Sequence, residues 1–182
     1  AGLLAERPVS HLAALVRPGR EAATAAALSD SGAAQSARAV TVAPGLIGSA
    51  PDLVVECAGH DAVAAHVPAL LRAGVDVVLV SIGALADAGL QTRLTEAAEA
   101  GAARLILPAG AVGGVDLLAA LAPAGGLTVR YRGVKPPHAW AGTPAEDAVD
   151  LAALTGATVF YTGTARAAAR DYPRNANVAA TR

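Results

Sequence analysis

The chain contains no methionine, one cysteine and five aromatic side chains (one Trp, three Tyr, one Phe) among 182 residues. Each shortage excludes something. A single cysteine, Cys57, can form no internal disulfide and no cysteine-based zinc site. Charged residues make up 16% and the net charge is −1, so nothing draws the chain electrostatically to nucleic acid or an anionic membrane. The charged flanks of a coiled-coil seam are missing. No apolar run reaches the roughly 18 residues that a membrane-spanning helix needs. The N-terminus lacks the basic, apolar, small-residue order of a signal peptide, and the expected compartment is the reducing cytoplasm. No His and acidic pair has metal-ligand spacing, and no nucleophile elbow occurs, so no metal is expected.

What fills the chain instead is small and apolar. Alanine accounts for 49 residues within a hydrophobic fraction of 54%, and glycine adds a further 19. Such a composition excludes disorder, and the length suits one large domain or two small ones. With Ala1 first and no methionine, the sequence does not read as a complete open reading frame.

The hydrophobic pattern alternates between short β-like runs and Ala-rich helical stretches. Strands are predicted at His11 to Val16, Ala39 to Val42, Asp52 to Cys57, Asp76 to Ser81 and Arg104 to Leu107. Helices are predicted at Glu21 to Leu28, Ala62 to Arg72 and Leu90 to Ala100, the last two closed by Gly74 and Gly101. The unbroken run at 76–81 is of the kind a parallel sheet buries on both faces. Strand–helix alternation through short turns is the mark of right-handed βαβ units and a parallel sheet. After Pro108 the texture changes. A glycine-rich crossing at 109–114 leads to a helix at Val115 to Leu121, and half-exposed strands are predicted at Leu127 to Arg132 and Thr158 to Tyr161. A stiff loop at Lys135 to Trp140 lies between those strands, and a short helix at Arg166 to Arg170 stops before Pro173. The expected division is therefore residues 1–107 and 108–182, the second part being α+β.

Ligands of an open parallel sheet bind where the chain leaves the carboxyl ends of strands. Three small-residue segments fall there: Cys57-Ala-Gly-His60, Ser81-Ile-Gly-Ala84 and Ala109-Gly-Ala-Val-Gly-Gly114. Together they suggest a groove for a flat dinucleotide that approaches the backbone closely. The G-x-G-x-x-G phosphate turn is absent. After the first predicted strand comes Arg17-Pro-Gly-Arg20 with no acid before Glu21, a loop that tolerates a 2′-phosphate. Histidines are scattered: His60 follows a strand, His66 lies on a helix, and His138 stands in a proline-rich loop. Arg166, Arg170 and Arg174 recur at four-residue spacing, as a positive face toward a dicarboxylate or as a solvated helix face.

The segments Asp52-Leu-Val-Val-Glu-Cys-Ala-Gly-His60, Val80-Ser-Ile-Gly-Ala-Leu-Ala-Asp87 and Ala109-Gly-Ala-Val-Gly-Gly114 resemble successive motifs of the L-aspartate dehydrogenase family. So do Lys135-Pro-Pro, Trp140-Ala-Gly-Thr-Pro-Ala-Glu146 and Tyr172-Pro-Arg-Asn-Ala-Asn-Val-Ala-Ala-Thr181. The resemblance implies an incomplete Rossmann-type parallel sheet followed by part of a mixed α/β catalytic domain. It implies an NAD- or NADP-dependent enzyme that oxidises L-aspartate to iminoaspartate, which gives oxaloacetate and ammonia or feeds NAD biosynthesis. A homodimer is the implied assembly. The family's cofactor contacts fall on Ala111 and Asn177, with Ala58 and Ser81 at the sheet edge as further candidates. Ala109 stands where Ser is common in the family. The family's catalytic histidine is expected beyond Arg182, so no catalytic residue is assigned within the chain and these 182 residues alone are expected to be inactive. The alternatives are an oxidoreductase of the homoserine dehydrogenase or dihydrodipicolinate reductase kind, and a non-catalytic Rossmann-like binding module.

Overall fold

A computed structural model describes residues 7–109 and 113–172. Its first half alternates strand and helix: β1 (Val9–Leu15), α1 (Glu21–Asp30), β2 (Ala34–Val40), α2 (Ala43–Ile47), β3 (Leu53–Glu56), α3 (His60–Arg72), β4 (Asp76–Leu79), α4 (Ala88–Gly101) and β5 (Leu105–Ile106). Every ladder is parallel. β1 pairs with β2 from Val9↔Ala34 to Leu15↔Val40, and β3, β4 and β5 form a second ladder in that order. The predicted βαβ organisation is thus present.

The core lies between the ladders and helices α3 and α4. Val63, Val67, Leu70 and Leu71 of α3 meet Val77 and Leu79 of β4 and Leu90, Leu94 and Ala97 of α4. These spacings place the apolar residues on one stripe of each helix. Ala13, Leu15 and Val40 bring the β1–β2 ladder onto the same cluster. On β4, Val77 and Leu79 are fully buried, whereas Asp76 and Val78 on the opposite face are half-buried. The two-sided burial expected of this strand is therefore complete on one face only.

Three local predictions change for identifiable reasons. β2 is longer than the predicted 39–42, because pairing with β1 carries the polar Gln35 and Ser36 into the ladder. β4 stops at Leu79, and the chain turns through a 3₁₀ segment, Ile82–Ala86, whose Ile82, Ala84 and Leu85 enter the core. Gly101 does not cap α4 but is its last helical residue, and Ala102 adopts the left-handed conformation instead (φ 51°). Glycine is needed at 101 for proximity: a Cβ there would overlap the carbonyl oxygen of Leu71 and sit 2.9 Å from its carbon. The backbones of α3 and α4 touch at this point.

At the opposite end of the ladder from the strand exits, Asp76 opens β4 and binds Arg104 just before β5. Its carboxylate accepts from the Arg104 backbone N–H (2.7 Å), Nε (2.8 Å) and Nη2 (2.6 Å). The guanidinium hydrogen bond holds the Asp76 carboxyl below the usual aspartate range. This fork fixes where β5 begins and, being solvent-exposed, contributes modestly to stability.

Residues 113–172 contain α5 (Val115–Leu121), α6 (Ala145–Ala148) and α7 (Ala165–Asp171) with short 3₁₀ turns. The predicted strands at 127–132 and 158–161 do not form ladders among the described residues. A β-conformation needs a paired neighbour to satisfy its backbone, and Val129, Tyr131, Val134 and Val159 are instead exposed. Organisation here comes from aromatic packing. Trp140 meets Phe160 edge-on at 4.9 Å and Tyr172 at 5.9 Å, and Tyr161 meets Tyr172 at 5.0 Å. Ala145 and Ala168 complete this cluster, and burial pushes the Tyr172 phenol above its usual range, with the charges of Asp171 and Asp147 acting in the same direction. Thr143 sets the turn into α6: its hydroxyl donates to the Trp140 carbonyl (2.6 Å) and accepts from the Ala145 N–H (3.3 Å). Thr164 caps α7 by accepting from the Ala167 N–H (3.1 Å). The two halves are tied by Arg166 of α7, whose Nη1 donates to the Ala86 carbonyl at 2.9 Å.

Two outcomes follow from this packing. An exposed Gly→Ala change in a helix stabilises by up to about 1 kcal/mol, but Gly101→Ala forces α3 and α4 apart. We expect a net loss of about 1–3 kcal/mol, read as a lower midpoint in urea unfolding. Arg166→Ala removes the bond to Ala86 and is expected to speed amide exchange in both 82–87 and 165–171. Faster exchange in one segment alone would contradict the link.

Candidate functional site

The carboxyl edge of the β3–β4–β5 ladder is built around one carboxylate. Glu56 is the last residue of β3 and is the buried charged side chain of the described core, 7% exposed. The strand Leu-Val-Val-Glu alternates, placing Val54 and Glu56 inward and Leu53 and Val55 outward. Burying a carboxylate is costly unless donors surround it. Here four do. Oε1 accepts from the Ala58 N–H (2.8 Å), the Gly59 N–H (2.9 Å) and the Ser81 hydroxyl (3.0 Å), while Oε2 accepts from the Ser81 N–H (3.0 Å). Removing the carboxylate would leave partly buried N–H groups without acceptors, at about 1–3 kcal/mol each.

These bonds join two turns that are distant in the chain, Ser81 standing 25 residues after Glu56. The first, Cys57-Ala58-Gly59, runs from β3 into α3. Gly59 has φ 114°, a conformation that strongly favours glycine, and its carbonyl accepts the Val63 N–H to open the helix. A Cβ at Gly59 would meet nothing within 4 Å, so the space beside this turn is open. The second turn, Val80-Ser81, leads from β4 into the buried 3₁₀ segment, and the Val80 N–H donates to the Glu56 carbonyl at 3.0 Å. Asp87 then caps α4 by accepting from the Gly89 N–H (2.8 Å) and the Leu90 N–H (3.1 Å). Two of the sequence candidates, Ala58 and Ser81, are thereby brought together. Ala58 is exposed and Ser81 half-buried. Ala111 and Asn177 lie outside the described residues.

The remaining candidates disperse. His60 is the first residue of α3 and His66 sits further along it, both half-buried, while His138 is exposed in the 3₁₀ turn Pro137–Trp140. Arg17 and Arg20 are exposed in the loop after β1. Arg170 pairs with Asp171 at 2.7 Å and Arg166 is committed to Ala86, so these two form no common positive face; Arg174 lies outside the described residues. Among the described residues no group of His, Cys, Asp or Glu could hold a metal ion. No described helix is long and apolar enough to cross a membrane.

A shallow concavity between α4 and β5, lined by residues such as Leu85, Gln91, Thr95 and Leu107, holds Glu99 as its single titratable group. It offers no donor set comparable with the Glu56 edge. The residue that pattern reading missed is Glu56 itself. Its signal was visible as a charge ending an otherwise apolar strand, immediately before a small-residue turn.

Residues 6–108 match the family described as homoserine dehydrogenase, NAD binding domain, and residues 116–182 match aspartate dehydrogenase, C-terminal. An L-aspartate dehydrogenase of Ruegeria pomeroyi is 52% identical over 169 residues, covering 92% of this chain and 58% of the relative. One of Cupriavidus necator is 55% identical over 132 residues, covering 72% of this chain and 49% of the relative. The chain thus spans about half the length of the curated relatives it matches. The crystal structure of an aspartate dehydrogenase from Thermotoga maritima superposes with a TM-score of 0.63 at 26% identity, covering 95% of this chain and 72% of that one. A nucleotide-binding sheet continued by this particular C-terminal sequence places the chain in the L-aspartate dehydrogenase family.

Proposed function

We propose that the whole protein is an L-aspartate dehydrogenase using NAD or NADP, and that the dinucleotide lies along the carboxyl edge organised by Glu56. The observation that carries this reading is continuity. The first half alone is shared with other oxidoreductases, and it is the second half, with its Trp140–Tyr172 cluster, that matches the aspartate dehydrogenase C-terminal family. The same succession weighs against the homoserine dehydrogenase and binding-module alternatives. The junction between the two matched stretches supports a domain boundary near residue 108.

The residues present suit a dinucleotide. The turn at Ala58-Gly59 is small-sided with open space beside it, and Gly113 and Gly114 are likewise unobstructed. A bound nicotinamide would supply the acceptor for the hydride leaving the aspartate Cα. The amine then loses a proton, and the resulting imine hydrolyses to oxaloacetate and ammonia or passes on toward NAD synthesis. What this chain contributes is placement: Ala58 and Ser81 at the sheet edge, Ala111 in the glycine-rich crossing and Asn177 near the C-terminus are its proposed cofactor contacts. An alanine at 111 leaves room beside a flat ring, and the Asn177 amide can bond a carboxamide or ribose. No catalytic residue is assigned within the chain. A homodimer in the cytoplasm is the proposed working form, in keeping with a single cysteine and no disulfide.

The loop after β1 refines the choice of cofactor. It presents Arg17 and Arg20 to solvent and offers no carboxylate before Glu21, where an NAD-selective site places an acid against the ribose hydroxyls. We infer that NADPH is accepted alongside NADH. In fluorescence titrations of the whole protein, both reduced dinucleotides should bind. Arg17→Glu with Arg20→Glu should weaken NADPH by about tenfold or more, leaving NADH nearly unchanged. Equal losses for both would reject this loop as the phosphate contact. Asn177→Ala should raise the Kd for either dinucleotide, and an unchanged Kd would remove Asn177 from the site.

A further inference from the structure

Glu56 is assigned no contact with a ligand, yet its four hydrogen bonds tie together the two turns of the edge proposed for the dinucleotide. We propose that Glu56 is the positioning residue of the dinucleotide edge, setting the Ala58-Gly59 turn and fixing the Ser81 hydroxyl as a hydrogen-bond acceptor toward the ligand. The inference rests on the dinucleotide reading of this edge.

All four partners of the carboxylate are donors: the N–H groups of Ala58, Gly59 and Ser81, and the Ser81 hydroxyl, at 2.8 to 3.0 Å. The two ion pairs among the described residues are Arg104–Asp76 and Arg170–Asp171, so Glu56 serves these amides rather than a cation. Two consequences follow for recognition. Turn amides at strand exits are ordinarily available to bind phosphate oxygens, but here three are already engaged by a carboxylate that also repels phosphate. This part of the edge therefore faces an uncharged portion of the dinucleotide. The Ser81 hydroxyl, having given its hydrogen to Oε1, retains only acceptor lone pairs. It can receive a hydrogen bond from a carboxamide NH₂ or a ribose hydroxyl and cannot donate one to phosphate.

Glu56→Gln separates these functions from bulk. It preserves the size of the side chain and replaces one oxygen with an NH₂, which must then confront an N–H or hydroxyl donor. The experiment is a titration of the whole protein with NADH, alongside steady-state kinetics in aspartate at saturating dinucleotide. We expect Glu56→Gln to raise the NADH Kd about tenfold or more, with the aspartate KM within about twofold of wild type. Ser81→Ala, which deletes both one bond to Glu56 and the acceptor toward the ligand, should likewise raise the Kd. Asp76→Asn serves as the control. It breaks the fork at the far end of β4, and should lower the Tm while leaving the NADH Kd unchanged.

A wild-type Kd in Glu56→Gln would overturn the proposal while the dinucleotide reading stands. A parallel rise in Kd for Asp76→Asn would also overturn it, since destabilisation of the sheet would then account for the loss. Should Glu56→Gln fail to fold, Ser81→Ala decides: an unchanged Kd refutes the role of the fixed acceptor. Failure of the wild-type protein to bind either dinucleotide would instead overturn the site reading, and this inference with it.

Discussion

A carboxylate removed from water must be surrounded by donors, and the edge of this sheet is arranged around that requirement. Glu56 ends β3 pointing inward, and its two oxygens can be satisfied only if the chain after β3 folds back and the chain after β4 turns across. Both turns are thereby defined together. The early end of β4 at Leu79, the 3₁₀ segment that follows and the start of α3 at His60 are consequences of the same constraint. An apolar residue at 56 would relieve the desolvation and leave the turns without an organiser.

A second constraint operates on the far side of the core, where small residues permit close approach. Alanine and glycine abundance reduces the apolar area each residue can bury, so stability must come from proximity. Gly101 against Leu71 and Ala97 at full burial show how α3 and α4 meet this condition. The second half of the chain solves the shortage differently. It concentrates four of the five aromatic side chains, Trp140, Phe160, Tyr161 and Tyr172, into one edge-to-face cluster. Trp140 and Tyr172 come from segments that carry the family resemblance, whereas Phe160 and Tyr161 lie between them. The motif beginning at Trp140 and the start of that at Tyr172 thus serve packing here, and Arg166 links this unit to the segment after Ser81 through Ala86.

Much of the first half was legible in the sequence because its signals are local. Periodic apolar runs, small residues at strand exits and the turn at Gly74 all act within a few residues of where they stand. The lengthened β2 was not legible, since Gln35 and Ser36 join a strand only through β1. The strands expected at 127–132 and 158–161 carried an alternating or β-branched pattern but no ladder partner among the described residues. Of the candidate site, Ala58 and Ser81 were found as edge residues, while their common dependence on Glu56 was not. A glutamate in a strand carries no mark of which donors will face it.

The sequence by itself determined the parallel α/β character, the position of the strand-exit turns and the family. These depend on period, turn chemistry and ordered motifs, which are properties of neighbouring residues. The tertiary structure alone decided that residues 56, 58, 59 and 81 form one hydrogen-bonded unit, that Gly101 serves contact and not capping, and that Arg166 and Arg170 divide their attention between Ala86 and Asp171. The physical reason is common to all three. A buried polar group or a close backbone contact is defined by its partner, and partners distant in the chain are chosen only when the sheet and its helices close around them.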